Sequence, residues 1–126
     1  MNKIIINSSN APAPIGPYSQ AVVVKDTIYV SGQVAIDPAS GTLVTGDIVS
    51  ETHRVLKNII AILEQAGFTL DHVVKSTIFV KDLNNFATIN ATYGEYFTTH
   101  PPARETVEVS RLPKDVNVEI SVIAVK

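Results

Sequence analysis

The 126-residue chain has a net charge of −2 at pH 7 and contains no cysteine. The small negative charge argues against a nucleic-acid-binding protein, and the lack of thiols excludes disulfides, cysteine nucleophiles and sulfur-ligated metals. A content of 45% hydrophobic and 17% charged residues is typical of a globular protein, and the length favours one domain over residues 1–126. Because no apolar run reaches the roughly 18 residues of a membrane helix or the about seven of a secretory signal, we expect a cytoplasmic protein without membrane contacts.

Short apolar runs in the first third of the chain predict strands. Residues 3–6 are rich in isoleucine, and residues 21–25 and 27–31 predict a hairpin with a tight turn between them. Three prolines predict a loop over residues 8–17. Gly32 comes just after a strand, where glycine indicates a bulge or the close approach of another group to the backbone.

A long helix is predicted after Asp47, which is a suitable N-terminal cap, and Gly67 is expected to end it. Glu51 adds negative charge to its first turns. The residues predicted to face the core are Val49, Thr52, Val55, Leu56, Ile59, Ile60, Ile62 and Leu63. Those predicted to face outward are Arg54, Lys57, Asn58, Glu64 and Gln65.

The second half predicts a strand at residues 73–80 and then a second helix. Asp82 is expected to cap this helix, and His100, followed by two prolines, to stop it. Its predicted buried side chains are Phe86, Ile89, Tyr93 and Phe97. The element order favours an α+β fold, with a single mixed sheet of about six strands and both helices packed on one face. The other face is partly apolar, which indicates self-association.

Residues 102–120 carry the most chemistry. Two alternating segments flank the sequence Leu-Pro-Lys-Asp and predict two strands joined by a turn. Arg104 lies on the polar side of the first strand and Glu119 on the polar side of the second. A guanidinium can hold a carboxylate with two parallel hydrogen bonds, and a carboxylate can orient a water molecule. The ordinary alternatives are a structural salt bridge for Arg104 and a solvent-facing edge residue for Glu119.

The predicted hairpin limits how these two residues could cooperate. If Ser110 pairs with Asn117, Arg104 lies opposite Ile123, and Glu119 is roughly 13 Å away along the strand. One hairpin would then be unable to bring both residues to a small substrate. We therefore favour a site that combines residues of neighbouring subunits over a bulge that changes the register.

Four linked motifs resemble those of the Rid family of reactive imine deaminases, also called the YjgF family. They are Ile-Gly-Pro-Tyr-Ser-Gln-Ala at 15–21, Ser-Gly-Gln at 31–33, Val-Lys-Asp-Leu at 80–83 with Asn-Ala-Thr-Tyr at 90–93, and Pro-Ala-Arg at 102–104 followed by Leu-Pro-Lys-Asp and Val-Glu-Ile. They occur in the family's order and cover nearly the whole chain. The resemblance implies a chorismate-mutase-like fold assembled as a homotrimer, with ligand clefts between subunits.

The resemblance also implies roles for individual residues. Arg104 would grip the substrate carboxylate and Glu119 would activate water or transfer a proton. The residues implied to bind substrate are Tyr18, Ser31, Gly32, Phe86, Asn90 and Thr106, although Phe86 is better explained as a core residue. Many family members have Ser-Cys after the signature arginine. This chain has Glu105 and Thr106 instead, so the thiol is lost, and an unpaired Glu105 would be costly away from water.

Other chemistries find no support in the sequence. His53, His72 and His100 lack metal-ligand spacing, and Gly41 to Gly46 has P-loop spacing but is followed by Asp47 rather than lysine. The leading hypothesis is hydrolysis of 2-imino or enamino acids to 2-keto acids and ammonia without a cofactor. A non-catalytic keto- or amino-acid sensor is the main alternative, and an RNA-cleaving translation inhibitor is the third.

Overall fold

The computed structural model describes residues 2–126 and contains a six-stranded sheet with two α-helices. In chain order the elements are β1 (Ile4–Ile6), β2 (Ala21–Val24), β3 (Thr27–Gln33), α1 (Ile48–Gln65), β4 (Val73–Val80), α2 (Phe86–Gly94), β5 (Ala103–Glu108) and β6 (Val118–Val125). The strand order across the sheet is β1-β2-β3-β6-β4-β5. Only β4 and β5 run parallel, so the sheet is mixed, which confirms the predicted architecture.

The predicted hairpin of the last two strands is wrong. β4 lies between β5 and β6, pairing in parallel with β5 and antiparallel with β6. The chain returns from α2 to the sheet edge beside β4, and the connection after β5 then carries it past β4 to the gap next to β3. A turn signal between two apolar segments indicates a reversal of the chain, but it does not fix which strand each segment pairs with.

The helix ends follow local rules. The Asp47 carboxylate accepts a hydrogen bond from the Ser50 amide at 3.1 Å, which confirms the predicted cap of α1. Gly67 has a φ of +79°, and its amide donates to the Glu64 carbonyl at 3.0 Å, as in a glycine-terminated helix. Asp82 caps a short 3₁₀ turn, Leu83–Asn85, that leads into α2. Because α2 ends at Gly94, Phe97 lies beyond the helix and stacks on Tyr93 from there.

Both helices cover the same face of the sheet, and the core lies between them and it. Ile59, Ile78 and Ile120 are among the fully buried side chains there. Two predictions for α1 are wrong, because Asn58 is buried rather than exposed, and Val49, predicted to face the core, is 36% exposed. Glu51 lies in the first turn as predicted and is also buried. The side chains of Glu51 and Asn58 are hydrogen-bonded to backbone outside the helix. No helix within residues 2–126 is both long and apolar enough to cross a membrane.

The other face of the sheet is uncovered. One row of side chains crosses four strands in register on this face and is largely apolar. It consists of Ile5, Val22, Tyr29 and Ile123. Tyr29 is 48% exposed. An open, partly apolar sheet face of this kind is a surface on which copies of a chain can associate.

Candidate active site: two clusters on opposite faces of the sheet

Arg104 lies on the helix-covered face of the sheet. It is in register with Ser76 on β4, whose hydroxyl accepts a hydrogen bond from the Tyr93 hydroxyl of α2 at 2.9 Å. The guanidinium carbon lies 5.0 Å from the centre of the Tyr93 ring and 5.8 Å from that of Phe86. One of its nitrogens, Nη1, donates to Oδ1 of Asn90 at 2.8 Å. Aromatic faces and an amide oxygen therefore hold the cation in one orientation.

The Arg104 side chain retains free hydrogen-bonding capacity. No ion pair among residues 2–126 involves this guanidinium, although a guanidinium carries five N–H donors. Thr106 lies two residues further along the same strand face, and its hydroxyl oxygen is buried with no hydrogen-bond partner among the described residues. We call Phe86, Asn90, Arg104 and Thr106 the arginine cluster. It offers unpaired donors suited to an anionic or carbonyl oxygen.

Glu119 lies on the opposite, uncovered face. It neighbours Phe79 on β4, whereas the adjacent Ile120 points into the core. Partial burial raises the pKa of the Glu119 carboxyl above its usual range. This carboxyl lines a cavity of about 550 Å³ together with Tyr18, Ser31 and Gly32. We call Tyr18, Ser31, Gly32 and Glu119 the glutamate cluster.

Gly32 is needed for the position of Glu119. The pairing of β3 with β6 is irregular between Val30 and Gln33, so the predicted bulge is present. A Cβ atom at residue 32 would lie 2.8 Å from the carboxyl carbon of Glu119 and closer still to its Oε2 atom. Only glycine leaves room for the carboxylate to lie against this backbone.

Tyr18 and Ser31 hold the loop that borders the cavity. The Ser31 hydroxyl donates to the Ser19 carbonyl at 2.6 Å, which ties the loop to β3. The Tyr18 hydroxyl accepts from the Ile15 amide at 3.2 Å, and its ring remains about half exposed. Ser31 therefore supports the cavity through its contact with the loop backbone, while Tyr18 lines the cavity directly.

The two clusters do not meet within one subunit. Arg104 and Glu119 are on strands separated by β4, in register with Ser76 and Phe79 respectively. With strands about 4.8 Å apart and a rise of about 3.3 Å per residue, their Cα atoms are roughly 14 Å apart. Their side chains also point to opposite faces. A substrate small enough to bridge a guanidinium and a carboxylate could contact both only if a second subunit supplied one of them.

Sequence reasoning did not assign five residues that line the cavity beside Glu119. They are Ile15, Val34, Ile36, Pro113 and Lys114. Ile15, Pro113 and Lys114 belong to the motifs Ile-Gly-Pro-Tyr-Ser-Gln-Ala and Leu-Pro-Lys-Asp, so their position in a family motif could have indicated a place near the site. Val34 and Ile36 carried no signal, because an aliphatic residue after a strand is equally compatible with the core.

The Glu105 carboxylate is paired and exposed, so it does not incur the cost of an unpaired charge away from water. Its carboxylate forms an ion pair with Lys75 at 2.9 Å and accepts from the Thr77 hydroxyl at 3.1 Å. The hydrogen bond from Lys75 is the main reason that the pKa of Glu105 is lowered. Since the side chain is also exposed, it does not disturb Arg104 on the other face of β5. No group of three or more acidic or histidine side chains within residues 2–126 is arranged to hold a metal ion.

Gly32→Ala provides a direct test of the contact between the bulge and Glu119. The added methyl group would displace the end of a flexible side chain rather than backbone, so we expect folding stability to change little. Activity that depends on the Glu119 carboxylate should fall about tenfold or more, since small misplacements of catalytic groups are costly. Gly46→Ala is the matched control, because a Cβ at residue 46 would meet nothing within 4 Å. Equal activity of the two variants would contradict the assigned role of Gly32.

The fold and the two clusters define an α+β protein with an arginine cluster on one face of its sheet and a carboxylate in a cavity on the other. A family model described as Endoribonuclease L-PSP matches residues 8–126. The chain belongs to this family, which is also known by the names Rid, YjgF and RutC.

Individual relatives agree over the full length. A RutC family protein of Pyrococcus abyssi is 56% identical over 126 residues, covering 100% of this chain and 99% of that protein. A 2-iminobutanoate/2-iminopropanoate deaminase of Salmonella typhimurium is 50% identical, covering 96% of both chains. The crystal structure of a Rid family protein from Yersinia pestis superposes with a TM-score of 0.97 at 52% identity, covering 99% of this chain and 100% of that one.

Proposed function

We propose that this protein hydrolyses reactive 2-imino and enamino acids, such as 2-aminoacrylate and 2-iminopropanoate, to 2-keto acids and ammonia. It would thus be a 2-iminobutanoate/2-iminopropanoate deaminase that removes damaging metabolites in the cytoplasm. The observation that carries the proposal is the pair of complementary clusters. One offers a cation with unpaired donors, and the other a half-buried carboxylate in a cavity. The 50% identical Salmonella deaminase supports the same reaction class.

The arginine cluster would bind the substrate carboxylate. Nη1 of Arg104 is already held by Asn90, and the rings of Phe86 and Tyr93 fix the plane of the guanidinium. The remaining N–H groups can donate to both oxygens of a carboxylate. The Thr106 hydroxyl, which lacks a partner among residues 2–126, would take an additional oxygen. This arrangement would orient the adjacent imine carbon towards the glutamate cluster.

The glutamate cluster would activate water. Glu119 would accept a proton from a water molecule as the water oxygen attacks the carbon of the protonated imine, giving a neutral carbinolamine. Return of that proton to the amino nitrogen would make it a leaving group. The C–N bond would then break as the carbinolamine hydroxyl gives its proton to Glu119, releasing ammonia and leaving the keto group. The raised pKa of Glu119 makes it a stronger base than an ordinary carboxylate. Because water is the nucleophile, the reaction needs no cofactor.

The two clusters would be joined by assembly of the protein. They lie on opposite faces, so a complete site needs Arg104 of one subunit and Glu119 of another. The uncovered apolar row through Tyr29 and Ile123 is a suitable surface for this contact. Closed rings are the usual form of homo-oligomers, and the family resemblance implies that the ring has three members.

The test is an imine-trapping assay. A pyridoxal-dependent serine dehydratase generates 2-aminoacrylate, and semicarbazide traps the imine that remains, with and without this protein. We expect faster imine loss that disappears in Glu119→Gln. Unaltered imine decay together with saturable binding of a keto acid would instead support a sensor. RNA cleavage, the activity in the family model's description, would have to disappear in Arg104→Ala and Glu119→Gln to be attributed to this site.

A further inference from the structure

Two buried polar residues of α1 hold the backbone of two walls of the glutamate cavity. Glu51 and Asn58 are seven residues apart, which places them on the same side of a helix, and neither exposes any surface. Buried charged and amide groups persist only where hydrogen bonds replace water. The backbone partners of both side chains lie outside the helix, in the segments that lead to the cavity.

Glu51 fixes the start of β6. Its carboxylate accepts from the Asn117 amide at 2.7 Å, from the Asn117 side chain at 2.8 Å and from the Val118 amide at 3.3 Å. Glu119 is the next residue along the chain, and the Pro113–Lys114 wall of the cavity immediately precedes this segment. The position of the Glu119 carboxylate thus depends on backbone that α1 holds from the other side of the sheet.

Asn58 fixes the opposite wall. Its side-chain nitrogen donates to the Val34 carbonyl at 3.2 Å and to the Ile36 carbonyl at 2.9 Å. Its side-chain oxygen accepts from Nε of Arg54 at 3.1 Å, so the amide orientation is fixed as well. Val34 and Ile36 both line the cavity that contains Glu119. One helix therefore sets the separation of the two walls.

We propose that Glu51 and Asn58 are positioning residues that fix the width of the glutamate cavity and the burial of Glu119. The effect that we expect on turnover rests on the proposed function, whereas the effect that we expect on the cavity does not. If the hydrogen bonds of either Glu51 or Asn58 are lost, the walls of the cavity separate and water reaches Glu119. The titratable side chains that line the cavity beside Glu119 are Tyr18 and Lys114, and neither would be changed by these substitutions.

The decisive variant is Glu51→Met, which keeps the length of the side chain but removes both acceptor oxygens. We expect kcat/KM per folded protein to fall about 100-fold. In a carboxyl NMR titration, the pKa of Glu119 should fall towards its ordinary value, because the carboxyl becomes solvated. Glu51→Gln should stay close to wild type. One oxygen remains to accept from the two backbone amides, and the side-chain amide of Asn117 can flip so that its oxygen accepts from the new nitrogen.

Thr52→Val is the matched control. Thr52 is equally buried on the same helix, but its hydroxyl donates within the helix, to the Ile48 carbonyl at 2.8 Å. This variant should leave both kcat/KM and the Glu119 titration unchanged. If Glu51→Met does not fold, Asn58→Leu tests the opposite wall by the same two measurements, because leucine fills a similar volume but cannot donate.

The outcomes separate this inference from the proposed function. A lowered Glu119 pKa in Glu51→Met or Asn58→Leu, but not in Thr52→Val, supports the positioning role even if the wild-type protein hydrolyses no imine. An unchanged Glu119 pKa in whichever of the Glu51→Met and Asn58→Leu variants fold overturns it, whatever the wild-type activity. Absence of imine hydrolysis by the wild type overturns only the proposed function.

Discussion

Arg104→Ala is expected to lower kcat/KM for 2-imino acids by about 100-fold to 1,000-fold, because it removes a charge-assisted, two-pronged contact to the substrate carboxylate. Arg104→Lys should recover only part of this loss. A lysine ammonium is a point charge that can neither form two parallel hydrogen bonds nor stack on Tyr93 and Phe86 in the same way. Steady-state kinetics of the three proteins with enzymatically generated 2-aminoacrylate measure both effects.

Lys57→Ala serves as the control for Arg104, since Lys57 is an exposed cation on α1. It should stay within about twofold of wild type, as expected for a change in surface charge alone. Equal losses for Lys57→Ala and Arg104→Ala would indicate that charge steering, rather than a specific carboxylate contact, accounts for the effect. An unchanged rate in Arg104→Ala would remove Arg104 from the site.

Glu119→Gln is expected to lower kcat by about 100-fold to 10,000-fold with little change in KM, since the amide keeps the shape of the carboxyl but cannot take a proton from water. The pH profile should report the same group. In the proposed mechanism the carboxyl must be ionised, so activity should decline as pH falls through the raised pKa of Glu119, at a higher pH than for an ordinary carboxylate. Glu64→Gln, on the exposed side of α1, should leave kcat and the profile unchanged.

Glu119 should also lower stability in a pH-dependent way. Because burial raises its pKa in the folded state, the folded protein binds this proton more tightly than the unfolded chain does. Proton binding by Glu119 therefore stabilises the folded protein at low pH. This stabilisation is lost as pH rises from the pKa in the unfolded chain through the pKa in the folded protein. We expect Glu119→Gln to be more stable than wild type at neutral pH and to lose that advantage in acid. Denaturant unfolding at the two pH values would detect this, and greater stability of the wild type at neutral pH would contradict it.

The sequence predicted the secondary-structure elements better than it predicted which strands pair with each other. The caps Asp47 and Gly67 were correct because they depend on hydrogen bonds within a few residues. The pairing of the last two strands was wrong because it depends on where the chain goes after α2, which local patterns do not encode. That Arg104 and Glu119 act together across two subunits stays a prediction, now supported by their positions on opposite faces rather than by distance along a hairpin.

The burial of two polar residues of α1 was the other feature that the sequence did not predict. Asn58 was assigned to the outer side of α1 because polar residues usually face water, and the burial of Glu51 was not predicted. Their burial depends on hydrogen bonds to the carbonyl groups of residues 34 and 36 and to the amide groups of residues 117 and 118, which lie far away in sequence. The candidate site residues were predicted as one set, whereas the structure divides them between the two faces of the sheet.

Subunit mixing tests the central claim most directly. Arg104→Ala and Glu119→Gln proteins, each inactive alone, would be unfolded together in equal amounts and refolded. If each cleft takes Arg104 from one subunit and Glu119 from its neighbour, about a quarter of the clefts in closed rings should contain both, restoring about a quarter of wild-type activity. No restoration, in mixed oligomers verified by mass spectrometry, would mean that the two residues do not act in one cleft between subunits.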